Sequence, residues 1–357
     1  MSTTPQSKGP LDGVKVVDLT TIVVGPICTR TLADYGAEVI KVEAPGGDLL
    51  RTMAEGSRNP GMSGKFINFN RNKRSIGLDI KKPEGLEAMR RLIDKADVFV
   101  SNVRPDALTR AGLDYATLSK TNPRLIVCSI LAFGRGGRYY GRPAYDPVIQ
   151  SLSGVAGTIA RATGEPRFVP MVMTDHTSGL IAAQAIGFAL YRREKTGKGE
   201  AIDVPMLENM ASFVSSEHMG AMTFDPPVGP SGDGRLLSPN YKPVPTKDGY
   251  VTVRPNTNVQ AFAFFDAIGK PELKTDPRFN SAAARTRNAA AYFEVQTTSL
   301  GHKTTDEWVE LFDKLDVPAA RYNTIDELLT DPHLTDVGFF KEEQHPSEGK
   351  IKIGRAH

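Results

Sequence analysis

The sequence predicts an α/β protein: a Rossmann-like parallel-sheet large domain, followed by a smaller α/β domain. Three observations predict it. Short β-branched runs alternate with longer helical patterns through the first half, the order that builds a parallel sheet covered by helices. At 357 residues the chain is too long for one small core. After about Ser212 the character shifts to DPPVGPSGDGRLLSPNYKPVPT, dense in proline and glycine, before strands and helices resume. The expected layout is a large domain over residues 1–210, a small domain over 225–330, and a final stretch, 331–357, returning to the large domain.

Taken in order, VKVVDL (14–19) reads as a buried strand, followed by a helix from about Pro26 to Tyr35 that Gly36 ends, and a strand from Glu38 to Val42. Pro83 opens a helix to Lys95, since proline is tolerated in the first turn. VFV (98–100) and RLIVCSIL (124–131) are the next strands. In the second half DGYVTVRP suggests a strand pair. Amphipathic helices run from Gln260 to about Leu329, with Trp308, Leu311, Phe312 and Leu315 at core spacing. GFFKEEQHPSEGKIKIGRAH is expected to return as an edge strand.

Composition excludes several classes. The 44 basic and 41 acidic residues give a net charge of +3, spread along the chain, so charge does not point to nucleic acid. No apolar run approaches the roughly 20 residues of a membrane span, and MSTTPQSKGP lacks the apolar centre of a signal peptide. A cytoplasmic protein is expected. Cys28 and Cys128 lie in apolar surroundings and read as buried free thiols. His176, His218, His302, His333, His345 and His357 are scattered without ligand spacing, so no metal site is expected. The first strand–helix turn, around GPICTR, has a single glycine, which gives no support to a dinucleotide fingerprint.

One segment carries chemistry on its face. In MVMTDHTSGLIAAQAIGFALYRREKTGKG an apolar run leads to Asp175, then Thr177 and Ser178 open a small-residue helix. This places a carboxylate at an expected strand-to-helix corner. Unpaired N–H groups there hold a carboxylate ionised at neutral pH and steady an oxyanion or thiolate beside it. Such a group is either an N-cap or a nucleophile, and the local pattern serves both readings.

Many blocks in register resemble the class III CoA-transferases. They are LDGVKVVDLT, GPICTRTLADYGAEVIKVEAPGGDLLR, FNRNKRSIGLDIKKPEG, SNVRPDALTRAGLDY, AYDPVIQSLSG, the Asp175 segment, TGKGEAIDVPMLE and DPRFNSAAARTRN. The resemblance implies that Asp175 is the catalytic nucleophile, carrying first an acyl anhydride and then a CoA thioester, with acyl-CoA and a carboxylic acid as substrates and no permanently bound cofactor. It implies CoA contacts at Leu78, Lys81, Asn102, Val103 and Arg110, with Arg104 nearby, and the pantetheine arm passing Ile22 and Val23. Tyr145 and Asp146 fall where the transferases carry Tyr-Glu or Tyr-Asp.

The resemblance also implies an interlocked homodimer with its active site between the large domain of one chain and the small domain of the other. Relatives continue with a C-terminal segment ending near an LGEHTD-like motif, whose site residues have no position here. The sequence departs from the formyl-CoA transferases at Ala44, at Lys65, and at GPSGDG (229–234), which stands in place of their glycine loop. These departures weaken the case for formyl-CoA and oxalate as substrates. Related α-methylacyl-CoA racemases pair the aspartate with a histidine where this chain has Tyr145, and a neutral tyrosine is a poor general base. His176 is the alternative base, but it neighbours Asp175 in sequence and does not easily face it across a substrate. An acyl-CoA-binding protein without turnover is a third reading, against which Asp175 itself argues.

Overall fold

Strands β1 (Lys15–Leu19), β2 (Glu38–Glu43), β3 (Lys73–Gly77), β4 (Val98–Ser101), β5 (Ile126–Leu131) and β6 (Ala201–Pro205) form one sheet in the order β3-β2-β1-β4-β5-β6. Every pairing in it is parallel. The computed structural model describes residues 9–53 and 56–354. The opening MSTTPQSK, and Arg355, Ala356 and His357, lie outside the described residues. The strand order is that of a doubly wound sheet, with its reversal between β1 and β4.

The central strands are apolar because both faces are covered: β4 and β5 are buried at every position. The helices between Val24 and His218 are α1 (Val24–Asp34), α2 (Gly64–Asn70), α3 (Pro83–Ile93), α4 (Pro105–Ala111), α5 (Tyr115–Leu118), α6 (Asp146–Leu152), α7 (Val155–Thr163), α8 (Met173–Thr196) and α9 (Met206–His218). Gly36, at φ 99°, follows α1, and Gly197, at φ 72°, closes α8 in the left-handed conformation that favours glycine. Cys28 and Cys128 are both buried and unpaired.

By its contacts the chain falls into two compact units. One takes the chain up to Val155, Phe168–Val214 and the chain from Gly338 onward; the other takes Ala156–Arg167 and Ser215–Val337. Ala156–Arg167 is a segment that sequence reasoning leaves in the large domain. The second unit holds an antiparallel sheet of β7 (Val244–Pro245), β8 (Tyr250–Val253) and β9 (Ala319–Arg321). Its core includes Phe264, Phe265, Phe279, Trp308 and Phe312. Trp308 is fully buried, stacks on Phe312, and donates from Nε1 to the Leu300 carbonyl at 2.7 Å, so it is a core residue.

The C-terminal stretch corrects an expectation. β10 (Phe340–His345) and β11 (Gly349–Gly354) pair antiparallel with each other as a separate two-stranded sheet, not as an edge strand of the large one. Their side chains explain it, for KEEQH and GKIKIG are largely polar and suit a solvated ribbon better than a buried sheet edge. Glu348, in the intervening turn, accepts from the Asn59 backbone N–H at 3.2 Å and from Asn59 Nδ2 at 2.9 Å.

Candidate active site

All strands of the large sheet run the same way, so the loops after β1, β4, β5 and β6 gather at one edge. They enclose a cleft of about 270 Å³. Its walls are Thr21–Val24 after β1, Asn102–Pro105 after β4, Ile130–Phe133 and Tyr140–Tyr145 at and after β5, and Met206 after β6, with Asp175 of α8 facing in. β1 and β4 are neighbours from which the chain winds off in opposite directions, and a ligand crevice forms where such loops diverge. Asn102 ties the two sides: its Oδ1 accepts from the Thr21 N–H at 3.1 Å and its Nδ2 donates to the Thr21 carbonyl at 3.0 Å.

The turn after β1 is strained. Ile22 sits at φ 68°, a left-handed conformation that a β-branched side chain resists by about 1–3 kcal/mol. Buried groups hold it there. The Ile22 N–H donates to both carboxylate oxygens of Asp48, at 3.2 and 3.3 Å. Asp48 pairs with Lys41 at 2.8 Å, and Lys41 Nζ donates to the Thr20 carbonyl at 2.8 Å. Both side chains are almost fully buried, so each charge depends on the other for its solvation.

α8 brings Asp175 to the cleft as the third residue of a 24-residue helix. No strand precedes it, which corrects the expected strand-to-helix corner: α8 starts from an irregular segment, with Val172 as its cap and no side-chain cap bond. Nor is Asp175 the cap. That task falls to Asp146 of α6, whose Oδ2 accepts from the Thr174 N–H at 2.7 Å, Thr174 Oγ1 at 2.8 Å and the Asp175 N–H at 3.2 Å. Gln150 Nε2 donates to its other oxygen at 2.6 Å.

The charge on Asp146 thus occupies the positive end of α8, and Asp175 lies buried beside it. Its carboxyl accepts no hydrogen bond from the described residues. Burial, and then the like charge of Asp146, push its pKa up to about 7. The expectation that a helix start keeps Asp175 ionised at neutral pH is therefore corrected. Desolvation outweighs the dipole, whose N–H groups are already engaged, so proton loss occurs near neutrality.

Of the residues singled out in the sequence, the structure brings Ile22, Val23, Asn102, Val103, Arg104, Tyr145 and Asp175 to one cleft. Asp146 stands behind Asp175. Leu78, Lys81 and Arg110 do not line it. Leu78 is half-buried against the helices over the sheet, its N–H donating to the Glu43 carbonyl at 2.8 Å. Lys81 is exposed before α3, and Arg110 is exposed in the last turn of α4. His176 is half-buried, points its ring at Phe69 with centroids 5.6 Å apart, and is not in the cleft.

Sequence reasoning missed the loop between β5 and α6, which supplies Tyr140 and Arg142, and it missed Lys41 and Asp48. The loop had a signal: GRGGRYYGRPAY is rich in glycine and arginine and follows the C-terminal end of a parallel strand, where sites form. Lys41 and Asp48 read as ordinary charges, since nothing local to them reports burial.

Residues 11–357 match the family model for CoA-transferase family III. The chain belongs to the class III CoA-transferase family. This class III CoA-transferase is 33% identical over 349 residues to a human succinyl-CoA:glutarate CoA-transferase, covering 96% of this chain and 78% of that one. It is 31% identical over 341 residues to a succinate–glutarate CoA-transferase of Agrobacterium fabrum, with 94% and 85% covered. A crystal structure from Mycobacterium tuberculosis superposes with a TM-score of 0.83 at 29% identity, covering 98% of this chain and 92% of that one. Another, of a CAIB/BAIF family protein from Brucella suis, gives 0.80 at 32% identity, with 98% and 96% covered. The α/β fold and its six-stranded parallel sheet are thus shared with solved members of the family.

Proposed function

We propose that this enzyme moves CoA from an acyl-CoA thioester to a free carboxylic acid with Asp175 as covalent nucleophile. The observation that carries the proposal is Asp175 itself: a buried carboxyl at the wall of the switch-point cleft, free of hydrogen bonds from the described residues and raised to a pKa of about 7. Once ionised, such a carboxylate is more basic than an ordinary one and is not blunted by donors, so it attacks better.

A carboxylate oxygen of Asp175 adds to the thioester carbonyl and the C–S bond breaks, leaving a mixed anhydride and CoA thiolate. The thiolate then attacks the aspartyl carbonyl carbon, releasing the donor acid and leaving an aspartyl-CoA thioester. The acceptor carboxylate attacks that thioester and re-forms thiolate. Thiolate attack on the acyl carbon of the second anhydride gives the new acyl-CoA and restores Asp175. The substrates supply every atom, and activation is conserved only if water is kept from both anhydrides.

Ile22 and Val23 give the pantetheine arm an apolar wall, and Asn102, Val103 and Arg104 lead toward the phosphates. Leu78, Lys81 and Arg110, further along the same sheet edge, belong to the nucleotide end of CoA in this reading. Tyr145, well exposed at the start of α6, and Asp146 support the acyl end. The human and Agrobacterium relatives are named for succinyl-CoA or succinate and glutarate, and we carry dicarboxylic acids over as the class of donor and acceptor. A racemase is not favoured, since no histidine among the described residues lines the cleft to serve as its second base.

We also infer a homodimer. Val148 and Leu152 of α6, Leu180, Phe188 and Tyr191 of α8, which packs against α6, and Phe213 of α9 are large apolar or aromatic side chains left exposed, a set that suits a covered face. Two unpaired buried cysteines suit the cytoplasm.

The test is to incubate the enzyme with a panel of acyl-CoA thioesters and free acids, and to read new thioesters by mass analysis. New acyl-CoA species are expected with the parent and none with Asp175→Asn, which keeps shape and loses the nucleophile. Transfer by the variant at near the parent rate would refute the reading.

A further inference from the structure

We propose that Arg142 selects dicarboxylic substrates by binding the carboxylate remote from the reacting one. The inference rests on the transferase reading above and adds to it the group that recognises the acid.

Among the described residues, the charged side chains lining the cleft are Arg104, Arg142 and Asp175. Two guanidinium groups thus share the cleft with one carboxyl that is only partly ionised near neutral pH, and the cleft carries excess positive charge before any ligand enters. Neither arginine has an ion pair or a side-chain hydrogen bond with the described residues. Arg135, in the same loop as Arg142, is by contrast engaged structurally: it pairs with Asp203 and donates to Tyr140 Oη at 2.9 Å. That contact also braces Tyr140, a cleft residue.

Arg142 is delivered by a turn. Its N–H donates to the Tyr139 carbonyl at 3.0 Å, and Gly141 takes φ 79°, the third-position conformation that tight turns reserve for glycine. The guanidinium lies over the Tyr139 ring, 4.8 Å from its centroid, which limits its swing without spending its N–H donors. A planar fork with free donors is the group best matched to a carboxylate.

Position separates the two arginines. Arg104 follows β4 beside Asn102, on the side assigned to CoA phosphates. Arg142 stands four residues before Asp146, whose carboxylate bonds the Asp175 N–H at 3.2 Å, and so belongs to the wall at the reacting end. The carboxyl carbons of a four- or five-carbon diacid are about 4–5 Å apart when extended. With one carboxyl at Asp175, the other is free to meet a long side chain from the adjoining wall. A monocarboxylic acyl group of equal length would leave the Arg142 donors unpaired by substrate, so the preference follows from charge and not from size.

The experiment compares kcat/KM for succinyl-CoA and butyryl-CoA, equal in chain length and differing in the remote carboxylate, with glutarate or hexanoate as acceptor. The parent is expected to prefer the succinyl donor, and Arg142→Gln to lower that ratio by about ten- to a hundredfold, the range for one charge-assisted hydrogen-bonded contact. Arg142→Lys keeps the charge and loses the fork, so it should retain part of the preference; it carries the test if the glutamine variant does not fold. An equal loss for both donors would overturn the inference, because Arg142 would then serve a group common to all CoA thioesters. A parent that transfers only among monocarboxylic acids would overturn it too, while leaving the transferase reading intact. Failure with every donor and acid would remove both.

Discussion

At the scale of single residues, the pKa of Asp175 links stability to chemistry. An aspartate in the unfolded chain titrates near about 3.9, whereas folded Asp175 is raised to about 7 by burial and by Asp146. Between those values the folded state holds a proton that the unfolded state has released, so this group makes stability fall as pH rises through the window. The loss is complete above about 7 and has an upper bound of about 4 kcal/mol. Asp175→Asn removes it. The variant should match the parent in urea near pH 4 and exceed it near pH 8; a difference that is flat with pH would count against burial of the charge. Activity should rise with pH through about 7 as the proposed nucleophile ionises, and Asp146→Asn, which keeps an acceptor for the Thr174 N–H but drops the like charge, should shift that limb to lower pH in a kcat/KM profile. Asp175, Tyr145 and the residues after β1 and β4 were legible because matching blocks fix their order along the chain. The pKa was not, because it is set first by burial that only packing creates and then by Asp146, 29 positions away.

At the scale of elements, the strands that sequence reasoning found and those it missed differ in cover. β1, β2, β4 and β5 lie inside the sheet and show apolar runs, while β3 and β6 are its edges. β3 reads KRSIG and is mostly exposed, and β6 reads AIDVP with one position fully buried, so neither displays the pattern of a strand covered on both faces. The small residues of α8 were legible as close packing. The structure gives the reason, since a Cβ on Gly179 would stand 2.6 Å from the Val24 carbonyl oxygen and 2.9 Å from Ile27 Cβ. α8 carries Asp175, and α1 starts beside the strained turn at Ile22, so this contact sets the distance between the proposed nucleophile and the proposed pantetheine wall. Gly179→Ala should therefore cost about 1–3 kcal/mol of stability by overpacking and lower transfer more than it lowers CoA binding. Unchanged thermal stability and kcat would show that the helices part without consequence.

At the scale of the whole molecule, the doubly wound order was legible from alternating periods, and the family from many blocks in register over residues 11–357. The separate β10–β11 ribbon was not, because two short polar strands look alike whether they join a sheet edge or each other. The exposed apolar faces of α6, α8 and α9 lead to an expectation for the assembly: light scattering at micromolar concentration should show a dimer that persists on dilution, and a monomer would contradict self-association through those faces. The central claim concerns one bond on Asp175. Enzyme mixed with an acyl-CoA donor and no acceptor acid, quenched with hydroxylamine and digested, should yield a peptide bearing a hydroxamate on Asp175, absent from Asp175→Asn. An enzyme that transfers CoA under the same conditions yet leaves Asp175 unmodified would contradict the account.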